Sequence, residues 1–477
     1  MPYISLNPAS NQTIKNFPSW DSQQLQNVLE KVSQAQTEWR GTGLPQRAAV
    51  LQRASALLRK RGEELAVLIT QEMGKVIREA RAEVEKCAMA CEYYALHGAD
   101  FLQQEPVETD ANWSYVEYEP LGTVLAVMPW NFPLWQVFRF AVPTLIAGNA
   151  AVLKHASNVP QCALAIEAIF RDAGFPEHLF RTLLIDAEQV AQVIASPLVH
   201  AVSLTGSEAT GRKVAALAGQ HLKKCVLELG GSDAFVVLRD AELEFTAQMA
   251  VASRFINCGQ SCIAAKRFIL VPEIADAFLE LFQKKIAELK IGDPLDETVQ
   301  LGPMARLDLR EQLHQQVTES IALGARALVG CAVKEGNGAY YLPSVLDQVA
   351  PGQPAYAQEL FGPVAVVIRA QDEADAIRIA NDTPYGLGSS LWSQDVERAE
   401  ILARQLQAGC TFINGIVKSD PRLPFGGIKA SGFGRELFYH GLREFTNAKT
   451  VWVRATCQRN GDRRSQQSAE RRGAALH

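Results

Sequence analysis

Two rhythms of apolar and polar residues divide the chain. Residues 22–40 and 45–104 set apolar side chains at helical spacing among charged ones, as in QRAAVLQRASALLRKRGEELAVLI. They predict amphipathic helices, each burying one stripe. From residue 121 short apolar runs take over: GTVLAVMPW, NAAVLK, RTLLI, VHAVSLTG and KCVLELGG, with helical stretches at 160–173 and 187–196 between them. Apolar runs alternating with helices mark parallel strands covered on both faces. A second series follows LELGG, with DAFVVL, KRFILV, ALVGCAV, PVAVVIRA, GSSLWS and CTFING as strands. Its helices are expected near 242–257, 274–289, 307–322, 372–380 and 395–407. Two α/β units are therefore expected, meeting near residues 228–235.

Two segments lie outside both series. NWSYVEYE (112–119) and FTNAKTVWV (445–453) are extended and half-apolar, suited to an arm against another subunit. Residues 457–477 are polar and charged with almost no apolar content, so disorder is expected there.

Composition narrows the function classes. A net charge of −5 over 477 residues, without a basic run in the main body, gives no footprint for nucleic acid. The longest apolar stretches are too short and too glycine-broken to span a bilayer, so no membrane association is expected. MPYISLNPASNQTI lacks a basic region followed by an apolar run, which reads as no secretory signal. Nine cysteines form an odd, irregular set, fitting free thiols in the cytoplasm rather than a disulfide framework. No CxxC or HxxxH spacing occurs, so no metal site is expected.

Within INCGQSCIAAKR, Cys258 and Cys262 sit four residues apart; in a helix both thiols share one face. Composition disfavours a disulfide or half a metal site, leaving a nucleophile with a neighbour, or buried filler. Asn131 in MPWNFP is either a turn residue capping a helix or a polar group placed for chemistry. Glu228 ends an apolar strand in LELGG, as a strand-end ion pair or a base in a cleft at the strand carboxyl ends. TGSEATG (205–211) opens a helix after a strand, where N–H groups can meet a phosphate.

Taken in order, PWNFP, TGS, ELGG, GQSC, ELFGP and PFGG resemble the aldehyde dehydrogenase superfamily across residues ~1–455. The resemblance implies an α/β fold: a Rossmann-type dinucleotide domain (1–108 and 120–227), an α/β catalytic domain (228–435) and a β oligomerisation arm (109–119 and 436–456). It implies a Cys262 nucleophile and an oxyanion donor at Asn131, such donors being worth roughly 3–4 kcal/mol each. Glu228 matches the base that hydrolyses the Cys262 thioester; relatives that pass the acyl group to coenzyme A lack it. By the same resemblance Gly206 and Ser207 meet the cofactor pyrophosphate, Glu359 its nicotinamide ribose and Phe361 the ring, with Trp130 and Leu229 on the nicotinamide side.

Two positions refine cofactor and substrate. NAD-selective relatives carry a glutamate three residues after the lysine of the adenosine-ribose stretch; here VLKHAS places Ser157 after Lys154. A carboxylate repels a 2′-phosphate, whereas Ser157 can donate to it and Lys154 can neutralise it. NADP is therefore the expected cofactor, with NAD used less well. Arg139 falls in the register of the succinate-semialdehyde dehydrogenases, where a guanidinium can grip a distal carboxylate. Ser419 matches a serine on their substrate loop, and Phe132 and Trp135 line an apolar entrance. The second arginine of that group is replaced by Ile256 and the redox-switch cysteine by Ala264; Lys418 and Arg422 are candidates to compensate for the arginine. The expected reaction is NADP-dependent oxidation of succinate semialdehyde to succinate by a homodimer or homotetramer. The alternatives are a broader aliphatic or ω-carboxylic aldehyde dehydrogenase, acting for example on glutarate semialdehyde, and a non-catalytic structural member of the fold.

Overall fold

The computed structural model describes residues 3–455, and the expected disorder at 457–477 lies outside them. Two large sheets carry the two predicted series. The first runs Gly432–Phe433, Lys224–Glu228, Ala201–Thr205, Thr123–Met128, Ala150–His155 and Phe180–Thr182, parallel except for the first strand. The second runs Arg326–Val329, Ser344–Asp347, Val364–Arg369, Ala265–Leu270, Asp233–Val237, Gly388–Trp392 and Cys410–Ile413, antiparallel only at Arg326–Val329.

Their strands are apolar throughout because helices cover both faces. Val124, Leu125 and Ala126 are fully buried in the first, and Phe235, Val236 and Val237 in the second. The helical N-terminal third becomes Ser22–Arg40, Leu44–Lys60, Gly62–Met73 and Ile77–Phe101, sharing one core with the first sheet. Helix Trp135–Ile146 is buried along its whole length, so any polar side chain it carries must find partners indoors.

The outlying segments pair as Trp113–Pro120 against Thr446–Val453, with Glu105–Pro106 completing a small antiparallel sheet. A further two-stranded hairpin, Tyr3–Asn7 with Gln12–Phe17, precedes the first helix. After Cys410–Ile413 the chain returns to the first sheet, where Gly432 pairs with Glu228. Gly432 has φ +115°, and a Cβ there would run into the Leu227 carbonyl. Only glycine lets this short strand close over the end of ELGG.

The helix expected over 242–257 ends at Phe255, and Asn257, Cys258 and Gly259 follow in left-handed conformations (φ 52°, 54° and 70°). Cys258 and Cys262 therefore do not share a helix face. Asn257 tolerates this conformation and its side-chain amide donates to the Asn131 and Gln260 carbonyls at 2.6 and 3.1 Å, which fixes the turn. Cys258 is buried in the second core with a free thiol, a packing residue.

Candidate active site

The left-handed turn delivers Cys262 to the seam between the two sheets. Lys266 Nζ donates to the Ser261 and Cys262 carbonyls at 2.8 and 2.7 Å and pairs with Glu359 at 3.2 Å. Arg254, fully buried, donates to the carbonyls of Gly259 (2.8 Å), Ala265 (3.0 Å) and Gly362. GQSC is thus tied to ELFGP. ELGG abuts both: a Cβ on Gly231 would lie 2.9 Å from the Cys262 carbonyl oxygen, and the Gly231 N–H donates to Glu359 at 3.1 Å.

Asn131 is 3% exposed, and its Nδ2 donates to the Gln260 carbonyl at 3.1 Å. An amide nitrogen carries two N–H groups, so one remains for a substrate oxygen. Glu228 ends its strand 2% exposed, and neither carboxylate oxygen has a hydrogen-bond partner among the described residues. PFGG makes room for it: a Cβ on Gly426, whose φ is +153°, would sit 2.6 Å from Glu228 Oε1. Burial, and then the neighbouring Glu436, push the Glu228 carboxyl well above the usual range. Glu436 is itself buried in an ion pair with Arg139. Burial likewise pushes the Cys262 thiol up to about 12, partly offset by Arg139 and Lys266.

Two cavities meet at Cys262 and Gln136. The larger, about 630 Å³, is lined by Trp130, Gly206, Ser207, Leu229, Glu359 and Phe361, the six residues the motifs assign to cofactor contact. Ser207 Oγ caps helix Glu208–Gln220 by accepting from Thr210 N at 3.3 Å. Glu208 and Ala209, in the first turn of that helix, also line the cavity. A helix N-terminus of this kind suits a pyrophosphate, so these residues fit a dinucleotide. Lys154 and Ser157 are not in this lining. Lys154 is the penultimate residue of strand Ala150–His155, with its ammonium 5.7 Å from the Tyr3 ring centre, and Ser157 is exposed in the turn that follows.

The smaller cavity, about 120 Å³, is lined by apolar residues that include Phe132, Trp135, Ile256 and Phe425, by the cations Lys86, Arg139 and Lys418, and by neutral polar residues that include Ser419 and Gln136. Arg139 is not a free guanidinium: besides Glu436 it reaches Thr205 Oγ1 at 3.3 Å and lies 4.7 Å from the Phe425 ring centre. Ser419 accepts from Trp135 Nε1 at 2.9 Å and from Lys86 Nζ at 2.8 Å. Of the two candidates to compensate for Ile256, Lys418 lines the cavity. Arg422 does not; it is exposed and paired with Asp420 at 2.7 Å.

Several of these residues carry no sequence signal. Lys86 is one charge among many on an amphipathic helix, and Gln136 one polar residue on a buried one. Lys266 and Arg254 act through backbone carbonyls, which no motif records. Glu436 follows PFGG closely enough to be suspected, but its pairing with Arg139 is tertiary. Among the described residues no cluster of three or more His, Cys, Asp or Glu side chains could hold a metal ion. No helix among them is long and apolar enough to cross a membrane.

Residues 2–451 match the model of the aldehyde dehydrogenase family. The chain is 48% identical to the probable NADP+-dependent succinate-semialdehyde dehydrogenase of Synechocystis, over 95% of this chain and 100% of that protein. It is also 48% identical to the NAD(P)+-dependent succinate semialdehyde dehydrogenase Sad of Escherichia coli, over 94% and 97%. Among solved structures, succinic semialdehyde dehydrogenase from Streptococcus pyogenes, crystallised with NADP+, superposes with a TM-score of 0.93 at 37% identity, covering 95% of this chain and 100% of that one.

Proposed function

The chain belongs to the aldehyde dehydrogenase family, and from that premise we propose that it oxidises succinate semialdehyde to succinate, with NADP+ preferred over NAD+. The observation that carries this reading is the pair of cavities meeting at Cys262: one lined by the six cofactor-motif residues, the other small and largely apolar, with cations but no carboxylate in its lining. The relatives described above, named for this substrate and this cofactor, support it.

Gly206, Ser207 and the first turn of helix Glu208–Gln220 hold the pyrophosphate, Glu359 and Phe361 the nicotinamide half, with Trp130 and Leu229 beside it. Lys154 and Ser157 take the 2′-phosphate. Bound NADP+ supplies the hydride acceptor of the reaction.

The chain's own residues do the rest. The Cys262 thiol has a raised pKa, so it needs a proton acceptor. Glu228, buried without a hydrogen-bond partner among the described residues, is poised to take a proton rather than stay permanently ionised. Sulfur attack on the aldehyde carbon puts negative charge on the carbonyl oxygen, where the free N–H of Asn131 and the Cys262 backbone N–H stabilise it. Once the thioester has formed, Glu228 takes a proton from water, hydroxide adds to the acyl carbon and the Cys262 sulfur departs with a proton, releasing the acid. Apolar walls from Phe132, Trp135 and Phe425 suit the two-methylene spacer. Arg139 and Ser419 face the distal carboxylate.

Assembly and location belong to the same proposal. Trp113 and Trp452, 50% and 43% exposed, project from the small three-stranded sheet, which suits an arm in a homodimer or homotetramer. Eight free cysteines among the described residues suit the reducing cytoplasm. The experiment is a comparison of initial rates with succinate semialdehyde and butanal, each with NADP+ and NAD+. Succinate semialdehyde with NADP+ is expected to give the highest kcat/KM; equal values for the two aldehydes would refute the substrate.

A further inference from the structure

Ile256 leaves the small cavity one arginine short of the two-arginine arrangement, and Arg139 is already paired with Glu436. Lys86 enters the same cavity from helix Ile77–Phe101, a part of the chain that no motif marks. Its ammonium lies 4.2 Å from the centre of the Trp135 ring and donates to Ser419 Oγ at 2.8 Å.

The two carboxylates whose charge reaches Lys86 are committed elsewhere: Glu83 pairs with Lys75 and Asp420 with Arg422. Among the described residues no carboxylate lies within ion-pair distance of Lys86, which uses one of its three protons on a neutral hydroxyl. Ser419 Oγ accepts from both Lys86 and Trp135, which fills its two acceptor sites. Its own proton is left for an external acceptor. A charged donor and a hydroxyl proton therefore converge where an incoming anion has no carboxylate to compete with.

We infer that Lys86, acting with Ser419, is the residue that binds the distal carboxylate of the substrate and sets the preference for ω-carboxylic aldehydes. Arg139, paired with Glu436, borders the same cavity beside them. The inference rests on the substrate reading above and adds to it the residue that carries the specificity.

Burial, and then Arg139, lower the Lys86 ammonium to about 8, while Cys87, Glu83 and Asp420 act in the opposite direction. The charge is present at neutral pH and is lost as pH rises past that value.

The experiment measures kcat and KM for succinate semialdehyde and butanal with NADP+, in wild type, Lys86→Met and Lys86→Arg. Lys86→Met is expected to lower the succinate semialdehyde to butanal ratio of kcat/KM by about 10- to 100-fold, chiefly through KM. Lys86→Arg is expected to recover most of the loss. A wild type that does not discriminate the two aldehydes refutes the substrate reading itself. A wild type that discriminates, with Lys86→Met keeping the same ratio, refutes Lys86 alone. Competitive inhibition of wild type by succinate needs no variant: it is expected to weaken as pH rises past about 8, and pH-independent inhibition across that range counts against the inference.

Discussion

Arg139→Met separates the structural duty of that arginine from substrate binding. Arg139 and Glu436, 2% and 4% exposed, form a buried ion pair beside Glu228. Removing the guanidinium leaves the Glu436 carboxylate buried with only Ser203 Oγ in reach, at 3.4 Å. Breaking a buried pair from one side costs about 3–5 kcal/mol, because the orphaned charge stays desolvated. Arg139→Met is therefore expected to destabilise by that amount, read from the shift of the urea midpoint, and Arg139→Met/Glu436→Gln to recover most of it.

The sign with pH follows from Glu436, whose carboxyl is raised by burial and held down by Arg139. Without Arg139 it rises further, so the destabilisation is relieved in acid and grows as pH climbs through the folded-state pKa. Arg139 also holds Glu228 down, so the rise of kcat/KM with pH is expected to move to higher pH even with butanal. A single variant within about 0.5 kcal/mol of wild type, losing rate only on succinate semialdehyde, would show that the pair with Glu436 is unimportant and that Arg139 acts only on substrate.

Other outcomes follow from the same geometry. Ser157→Glu is expected to move the NADP+ to NAD+ ratio of kcat/KM toward NAD+ by about 10-fold or more, since a carboxylate repels the 2′-phosphate; an unchanged ratio would place the phosphate elsewhere. Cys262 and Glu228 both act deprotonated and both are raised by burial, so kcat/KM for butanal is expected to increase with pH through the neutral and into the alkaline range. With succinate semialdehyde the increase is expected to bend over as Lys86, lowered to about 8, loses its charge; parallel profiles for the two aldehydes would contradict this. Gly426→Ala puts a methyl group 2.6 Å from Glu228 Oε1 at φ +153°, a backbone strain of about 1–3 kcal/mol. Thioester hydrolysis is expected to slow more than its formation, and equal loss of both in rapid-quench kinetics would argue against a selective effect on Glu228.

The two strand series, their crossover helices and the extended arm segments were legible because burial on both faces writes continuous apolar runs into a sequence. The region around Cys262 was not. Asn257, Cys258 and Gly259 take left-handed conformations that are set by Asn257 bonding to Asn131 and Gln260, partners distant or adjacent that periodicity does not register. The motif residues came together as their order implied: Trp130, Gly206, Ser207, Leu229, Glu359 and Phe361 line one cavity. Arg139 lines the smaller cavity, but its partner Glu436 lies 297 residues along the chain (436 − 139), and no local pattern announces an ion pair of that separation. Lys86 stayed hidden for a similar reason, since on its own helix it reads as a solvated charge.

The central claim is that succinate semialdehyde is oxidised on Cys262 and released by Glu228. Mass spectrometry of Glu228→Gln, quenched after mixing with NADP+ and succinate semialdehyde, tests it most directly. The account predicts a burst of NADPH and protein carrying one succinyl group, on the peptide that contains Cys262. Undiminished steady-state turnover with no acylated Cys262 would contradict it.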